Sequence, residues 1–118
     1  MKREFYIAGV QFHDSDRVKD KMKMGDELTM RPEPTNEYDP NAVGLVYNNN
    51  KTEDDCFIGY VPAKISAEVA VALEISDEVI CTLTYVAPDA KKWERFKVVI
   101  TDEATTFKDE DNLKMGDY

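Results

Sequence analysis

Apolar and polar positions change period several times along the chain, and each change marks an element. Glu4 to Phe12 alternates loosely, with Phe5, Ile7 and Val10 as burial candidates, and predicts a first strand in which Gly9 permits a bulge or a close backbone approach. Asp14 and Ser15 offer N-caps for a short helix through Met22, where Val18 and Met22 fall four apart on one side, and Gly25 ends it. Leu28 and Met30 share a face of a second strand. Beyond a proline-rich loop, Ala42 to Tyr47 reads as a third strand, Asn48 to Asp55 as an exposed polar hairpin loop and Cys56 to Val61 as a fourth strand. Pro62 suits the first turn of a helix running to about Glu74, because its fixed φ matches the helix and its missing N–H would have no partner there. Ile65, Val69, Ala72 and Leu73 form the core-facing stripe of that helix. Val79 to Ala87 and Trp93 to Thr101 predict a closing pair of strands around Pro88-Asp89-Ala90. Period-two alternation puts Phe96, Val98 and Ile100 on one face of the last strand, and Trp93, Arg95, Lys97 and Val99 on the other.

Six short strands, a main helix after the fourth and a short helix after the first predict a mostly β fold, a small curled or closed six-stranded barrel with helices. Residues 1–101 carry this domain, and at 118 residues the chain holds one core. Residues 102–118 hold six acids and two Lys with little apolar content, and read as an acidic, flexible tail.

Apolar residues at 42% and charged residues at 33% place the chain among soluble globular proteins, and no apolar run approaches the roughly 20 residues of a membrane span. Met1 to Phe5 passes directly into a strand-like run without the apolar stretch of a signal peptide, so the cytoplasm is the expected location. Cys56 and Cys81 sit in apolar, strand-like contexts outside any Cys-x-x-Cys pair and read as buried thiols. Asn50-Lys51-Thr52 matches a glycosylation acceptor, which carries no weight without a secretion signal.

The net charge is −9, of which the tail accounts for −4. The remaining −5 predicts no long-range attraction for DNA, so any contact with phosphates should be local and modest. His13 is the only histidine, which excludes a His-based metal cluster and leaves a single base for any nucleophilic triad. No glycine-rich phosphate loop occurs. Glu33, Glu37 and Asp39 crowd one loop, and hard cations such as Mg²⁺ accept oxygen ligands, but no paired carboxylate motif lies elsewhere. The expectation is a protein that is not an enzyme and holds no cofactor or metal.

The most informative stretch is Arg31 to Val43, with three prolines, two Asn, an Asp and a Tyr between two apolar runs. Each Pro fixes its own φ and pushes the residue before it toward extended geometry, so Glu33 and Asp39 are held out of helix. Asn36, Asp39 and Asn41 can bond their own backbone, which makes the loop a shaped platform. Two readings follow: a surface that recognises a small polar target, or a strand-to-strand crossover whose side chains satisfy one another.

Four segments taken together resemble the HIRAN family over residues 1–101: Ile7-Ala8-Gly9-Val10-Gln11-Phe12; Gly25-Asp26-Glu27-Leu28; the loop Glu33-Pro34-Thr35-Asn36-Glu37-Tyr38-Asp39-Pro40-Asn41-Ala42; and Phe57-Ile58-Gly59-Tyr60-Val61-Pro62 opening a helix. The resemblance implies an OB-like barrel, and a non-catalytic module that captures the 3′ end of single-stranded DNA in DNA repair or processing. Carried over position by position, it implies that Asp39 accepts a hydrogen bond from the terminal 3′-hydroxyl, and an ionised carboxylate there would repel an end carrying phosphate. Tyr38 would supply a stacking face, Asn36 and Asn41 would orient the loop and the strand end, and Phe12 would stack on a base. Tyr60 and Phe96 fall at the remaining ring positions. The chain departs from the DNA-binding members at Gln11, where they carry a basic residue that meets backbone phosphate, and at Tyr60, which replaces a His. Phe12 and Phe96 also fit rim packing at the barrel ends, and Asp39 also fits an Asx turn with Pro40 and Asn41. The alternative function is a protein or peptide interaction module that uses the same groove without DNA. The acidity of the chain favours that alternative, and the Asn-x-Tyr-Asp-x-Asn constellation favours DNA.

Overall fold

The computed structural model describes residues 1–13, 15–48 and 55–102. Among these residues six strands appear in the expected order: β1 (Lys2–Tyr6), β2 (Glu27–Pro32), β3 (Val43–Tyr47), β4 (Cys56–Tyr60), β5 (Val79–Val86) and β6 (Phe96–Asp102), with one α-helix, α1 (Ala63–Ile75), between β4 and β5. They form one antiparallel sheet in the order β1-β6-β5-β2-β3-β4. β2 is the corner, since Glu27 and Leu28 pair with Thr82 and Cys81 of β5 while Thr29 to Pro32 pair with Val46 to Val43 of β3.

The sheet curls until its two edges meet. Just beyond β1, Ala8 and Tyr60 at the end of β4 exchange both backbone hydrogen bonds, each 2.8 Å. Gly59 makes that approach possible: a Cβ there would collide with the Ala8 carbonyl oxygen and lie 2.8 Å from Ile7 Cγ2. The result is a half-barrel joined at one end, the mostly β, OB-like architecture expected from the sequence.

Inside lie Ile7, Val10, Leu45, Ile58, Leu83 and the alternating Phe96, Val98 and Ile100 of β6, all fully buried. α1 packs against β3, and all five residues of β3 are buried. That is why Val43-Gly44-Leu45-Val46-Tyr47 reads as a continuous apolar run without alternation. Pro62 occupies the position just before α1, Val69 is buried, and Ile65, Ala72 and Leu73 pack half-buried against the core, as the stripe required. Both thiols are buried and neither is in a disulfide; burial first, and the Glu27 carboxylate second, push Cys81 up to about 12.

Three expectations fail locally. The first strand ends at Tyr6 rather than Phe12, because Gly9 takes a φ of +72° and turns the chain into a 3₁₀ turn over Val10–Phe12. In place of a short α-helix through Met22 stands a 3₁₀ turn over Ser15–Arg17 followed by turns; the proposed Asp14 cap lies outside the described residues. Arg95 is not on the outer face of the last strand but 8% exposed in the turn before it. It donates to Ser15 Oγ at 3.2 Å, to the Ala90 carbonyl at 3.2 Å and to Asp16 Oδ1 at 2.8 Å. Ser15 and Asp16 thus serve a guanidinium some eighty residues away in sequence instead of starting an α-helix. The hairpin loop after Asn48 and the tail beyond Asp102 also lie outside the described residues; Asp102 itself belongs to β6.

Two outcomes follow. Gly59→Ala should lower unfolding free energy by about 1–3 kcal/mol in urea titration, through overpacking where the sheet edges meet. The Asp16 carboxyl is held below the usual carboxylate range by its hydrogen bond from Arg95, helped by the charges of Lys92, Arg95 and Lys19 and opposed by partial desolvation. Its stabilising effect is therefore complete above the unfolded value near 3.9 and disappears as pH falls through the lower folded one. Asp16→Asn should lower Tm at neutral pH, and the gap from the parent chain should close as pH is taken below about 4.

Candidate nucleic-acid interface

The loop between β2 and β3 is built almost entirely from its own hydrogen bonds. Glu33 N–H donates to the Ala42 carbonyl at 2.9 Å and closes the neck. Asn36 Oδ1 accepts from the N–H groups of Tyr38 and Asp39 at 2.8 and 3.0 Å, while its Nδ2 donates to Glu33 Oε1 at 3.0 Å. Asp39 Oδ1 accepts from Asn41 N–H at 2.8 Å, the Asx turn. Asp39 Oδ2 accepts from Ser66 Oγ of α1 at 2.8 Å, which fastens the loop to the helix. The self-satisfied crossover and the shaped platform are one object: the bonds that fix the backbone leave the Tyr38 ring 89% exposed.

Beside this loop lies a groove of about 430 Å³ lined by Asn36, Tyr38 and Asp39 on one side and by Ala8, Gly9 and Tyr60, the residues of the closing bridge, on the other. Tyr60 OH donates to Glu33 Oε1 at 2.9 Å, and burial, then that bond and the Glu33 charge, raise the phenol above its usual value. Its ring stands edge-on to Phe57 at 5.1 Å and to His13 at 5.9 Å, and His13 and Phe57 are 4.6 Å apart.

Sequence reasoning placed Glu33 in the loop and Phe57 in the fourth strand but assigned neither of them, nor His13 or Ser66, to the surroundings of Tyr60 and Asp39. Phe57 and Tyr60 are three apart, and strict alternation puts them on opposite faces. A β-bulge brings them together: Leu45 pairs with Gly59 and Val46 with Phe57, so Ile58 is the extra residue. Gly44 clears space for the ring, since a Cβ there would sit 2.6 Å from Phe57 Cε1 and 3.3 Å from Glu33 Oε2. No local pattern announces the bulge, although Gly44 and Gly59 inside strand-like runs were a signal that something approaches closely.

The remaining candidates divide. Gln11 and Phe12 project from the 3₁₀ turn that begins after Gly9, at the rim of the groove; both are exposed, Phe12 to 77%. Asn41 lines a smaller neighbouring hollow of about 160 Å³ with Pro32, Pro34, Pro40 and Leu73. Phe96 is 1% exposed in the core and presents no face to a ligand: β6 alternation turns it inward, so the rim-packing alternative weighed for it gives way to full burial. Glu33 accepts from Asn36 and Tyr60 and Asp39 from Asn41 and Ser66, and among the described residues no group of three metal-ligating side chains is placed to hold an ion. A larger hollow of about 620 Å³ by Leu28 and Tyr47 is lined by Asp26, Glu27 and Asp55, a charge that opposes phosphate.

The structure is similar to the crystal structure of the HIRAN domain of human HLTF, with a TM-score of 0.63 and 13% identity over 84% of this chain and 72% of that one. It is equally similar to the crystal structure of a protein from Lactobacillus plantarum, with a TM-score of 0.64 and 12% identity over 85% of this chain and 95% of that one. No curated protein matches the chain in sequence. The model of the HIRAN domain matches residues 3–111, nearly the whole chain, and on that match the chain belongs to the HIRAN domain family.

Proposed function

We propose that this chain is a non-catalytic DNA-binding module that holds the free 3′-hydroxyl end of a single strand in the groove between the proline-fixed loop and the closing bridge, in DNA repair or processing. HIRAN domains are a DNA-binding family, which supports the general reading. The observation that carries the finer one is the pairing of Tyr38 and Asp39. The most exposed ring in the domain stands next to a half-buried carboxylate whose two oxygens each accept one bond from the protein and keep lone pairs for another donor. A terminal hydroxyl supplies that donor, and a terminal phosphate brings a second anion. Tyr38 and Phe12 give stacking surfaces for bases at about 1–3 kcal/mol each, together about 2–6 of the roughly 8 kcal/mol that micromolar affinity requires, and hydrogen bonds to the strand end supply the rest. Tyr60, tied to Glu33, acts as a wall of the groove. The competing reading, a peptide in the same groove, is favoured by the small apolar lining of Ala8, Ala42, Val61 and Ala63 and by the net charge of −9.

Otherwise identical oligonucleotides ending in 3′-hydroxyl and 3′-phosphate separate these readings. The hydroxyl end should bind more tightly by about 1–3 kcal/mol, and Asp39→Asn, which can keep the Asx turn, should remove most of that difference. Equal affinities would sink end recognition, and absence of saturable binding would favour the peptide. Gln11→Arg should strengthen binding by about 1–2 kcal/mol and steepen the salt dependence by about 0.7 for one added phosphate contact, whereas Phe12→Ala should weaken binding with the salt slope unchanged.

A further inference from the structure

The acidity of the chain conceals a polarised surface. Eight of its 15 Lys and Arg residues fall in two short segments, 17–23 and 91–97, where only Asp20 and Glu94 oppose them. The fold brings these segments together. Asp16 Oδ1 lies 2.8 Å from Arg95 Nη1 and 3.8 Å from Lys19 Nζ, and Asp16 Oδ2 lies 3.5 Å from Lys92 Nζ. Three cations share one carboxylate, so the cluster keeps a positive excess that a second anion would satisfy. Next to it Lys91 Nζ lies 5.7 Å from the centroid of the Trp93 ring, itself 51% exposed.

Position gives this ledge its meaning. The 3₁₀ turn of Lys92–Glu94 packs against the turn that carries Gln11 and Phe12, which in turn follows Gly9 on the groove wall. A strand whose end sat at Asp39 and which left past Gly9 would run over the turn that bears Phe12 toward the turn that bears Lys92 and Trp93. We infer that Lys91, Lys92 and Lys19, with Trp93, receive the sugar–phosphate backbone and a base of the strand on the 5′ side of the captured end, and so supply the positive charge that Gln11 does not carry. This rests on the end-capture reading and extends it beyond the groove. An acidic protein segment would match the charge alone, but an exposed tryptophan flanked by lysines also suits stacking on a base.

The test measures anisotropy of 5′-labelled di-, tetra-, octa- and dodecathymidylate with 3′-hydroxyl ends at low and moderate salt, using the full chain. Affinity should climb roughly tenfold beyond the dinucleotide, with a salt slope growing by about 0.7 per added phosphate contact. Lys91→Gln/Lys92→Gln should abolish the climb and return the slope to that of the dinucleotide, whose own affinity stays unchanged. Because Lys92 also pairs with Asp16, Lys91→Gln alone is measured beside it and should give about half the effect. Trp93→Ala should cut the climb and keep the slope. Affinity that does not depend on length, or a climb that the double variant retains, overturns the ledge and leaves end capture standing. A lysine-dependent climb with equal affinity for 3′-hydroxyl and 3′-phosphate ends overturns end capture and leaves the ledge as a strand-binding surface. Oligoglutamate binding lost in the double variant, with no oligonucleotide bound by the parent chain, overturns both.

Discussion

Two hydrogen bonds between Ala8 and Tyr60 join the ends of a six-stranded sheet, and the groove exists only because they do. Their net worth is about 0.5–1.5 kcal/mol each, comparable to the entropy of fixing one or two residues, so they do not hold the closure alone. Ile7 and Val10 flank the bridge fully buried, and each contributes about 1.5–3 kcal/mol by leaving water. The hydrophobic effect therefore drives the seam shut and the bonds fix its register. Gly59 is the permission for both, since its missing side chain is the space into which Ile7 and the Ala8 carbonyl fit.

The same economy governs the loop opposite. Asp39 turns the backbone through Asn41 and ties the loop to α1 through Ser66, yet its carboxylate lines the groove. Fixing a carboxylate with two donors aims its remaining lone pairs, so the acid that shapes the loop is also the one whose free acceptor sites face the groove. Electrostatics divide the surface in a complementary way. The net charge of −9 belongs to the whole chain, whereas the turns around Asp16 and Lys92 carry a local positive excess next to the groove. Net charge does not describe the surface locally, because the fold sorts the charges that the sequence mixes.

Much of the architecture was legible. Alternation in Phe96, Val98 and Ile100, the continuous run of β3 and the stripe of α1 each reported a burial that the structure contains, and the strand order emerged with boundaries displaced by a few residues. The self-bonded shape of the loop around Asn36, Tyr38 and Asp39 was legible because proline and Asx chemistry act within a few residues. What escaped depended on long-range geometry. Gly9 turned an apparent strand continuation into the turn bearing Phe12, a bulge at Ile58 put Phe57 beside Tyr60, and the fold brought Arg95 onto Asp16, far from it in sequence. Phe96 shows the opposite limit: a ring at the end of a barrel strand is rim or core according to a register that only the paired strands reveal.

The central claim is that closure at Ala8 and Tyr60 creates the surface that meets DNA, and amide chemical shifts test it residue by residue. Titration of a short 3′-hydroxyl single strand into isotopically labelled protein should move the amides of Ala8, Gly9, Tyr38, Asp39 and Tyr60 together, with one common saturation curve, and leave those of Val71 and Ile75 on the exposed face of α1 in place. Perturbations centred on α1, or none at the bridge, would contradict the account.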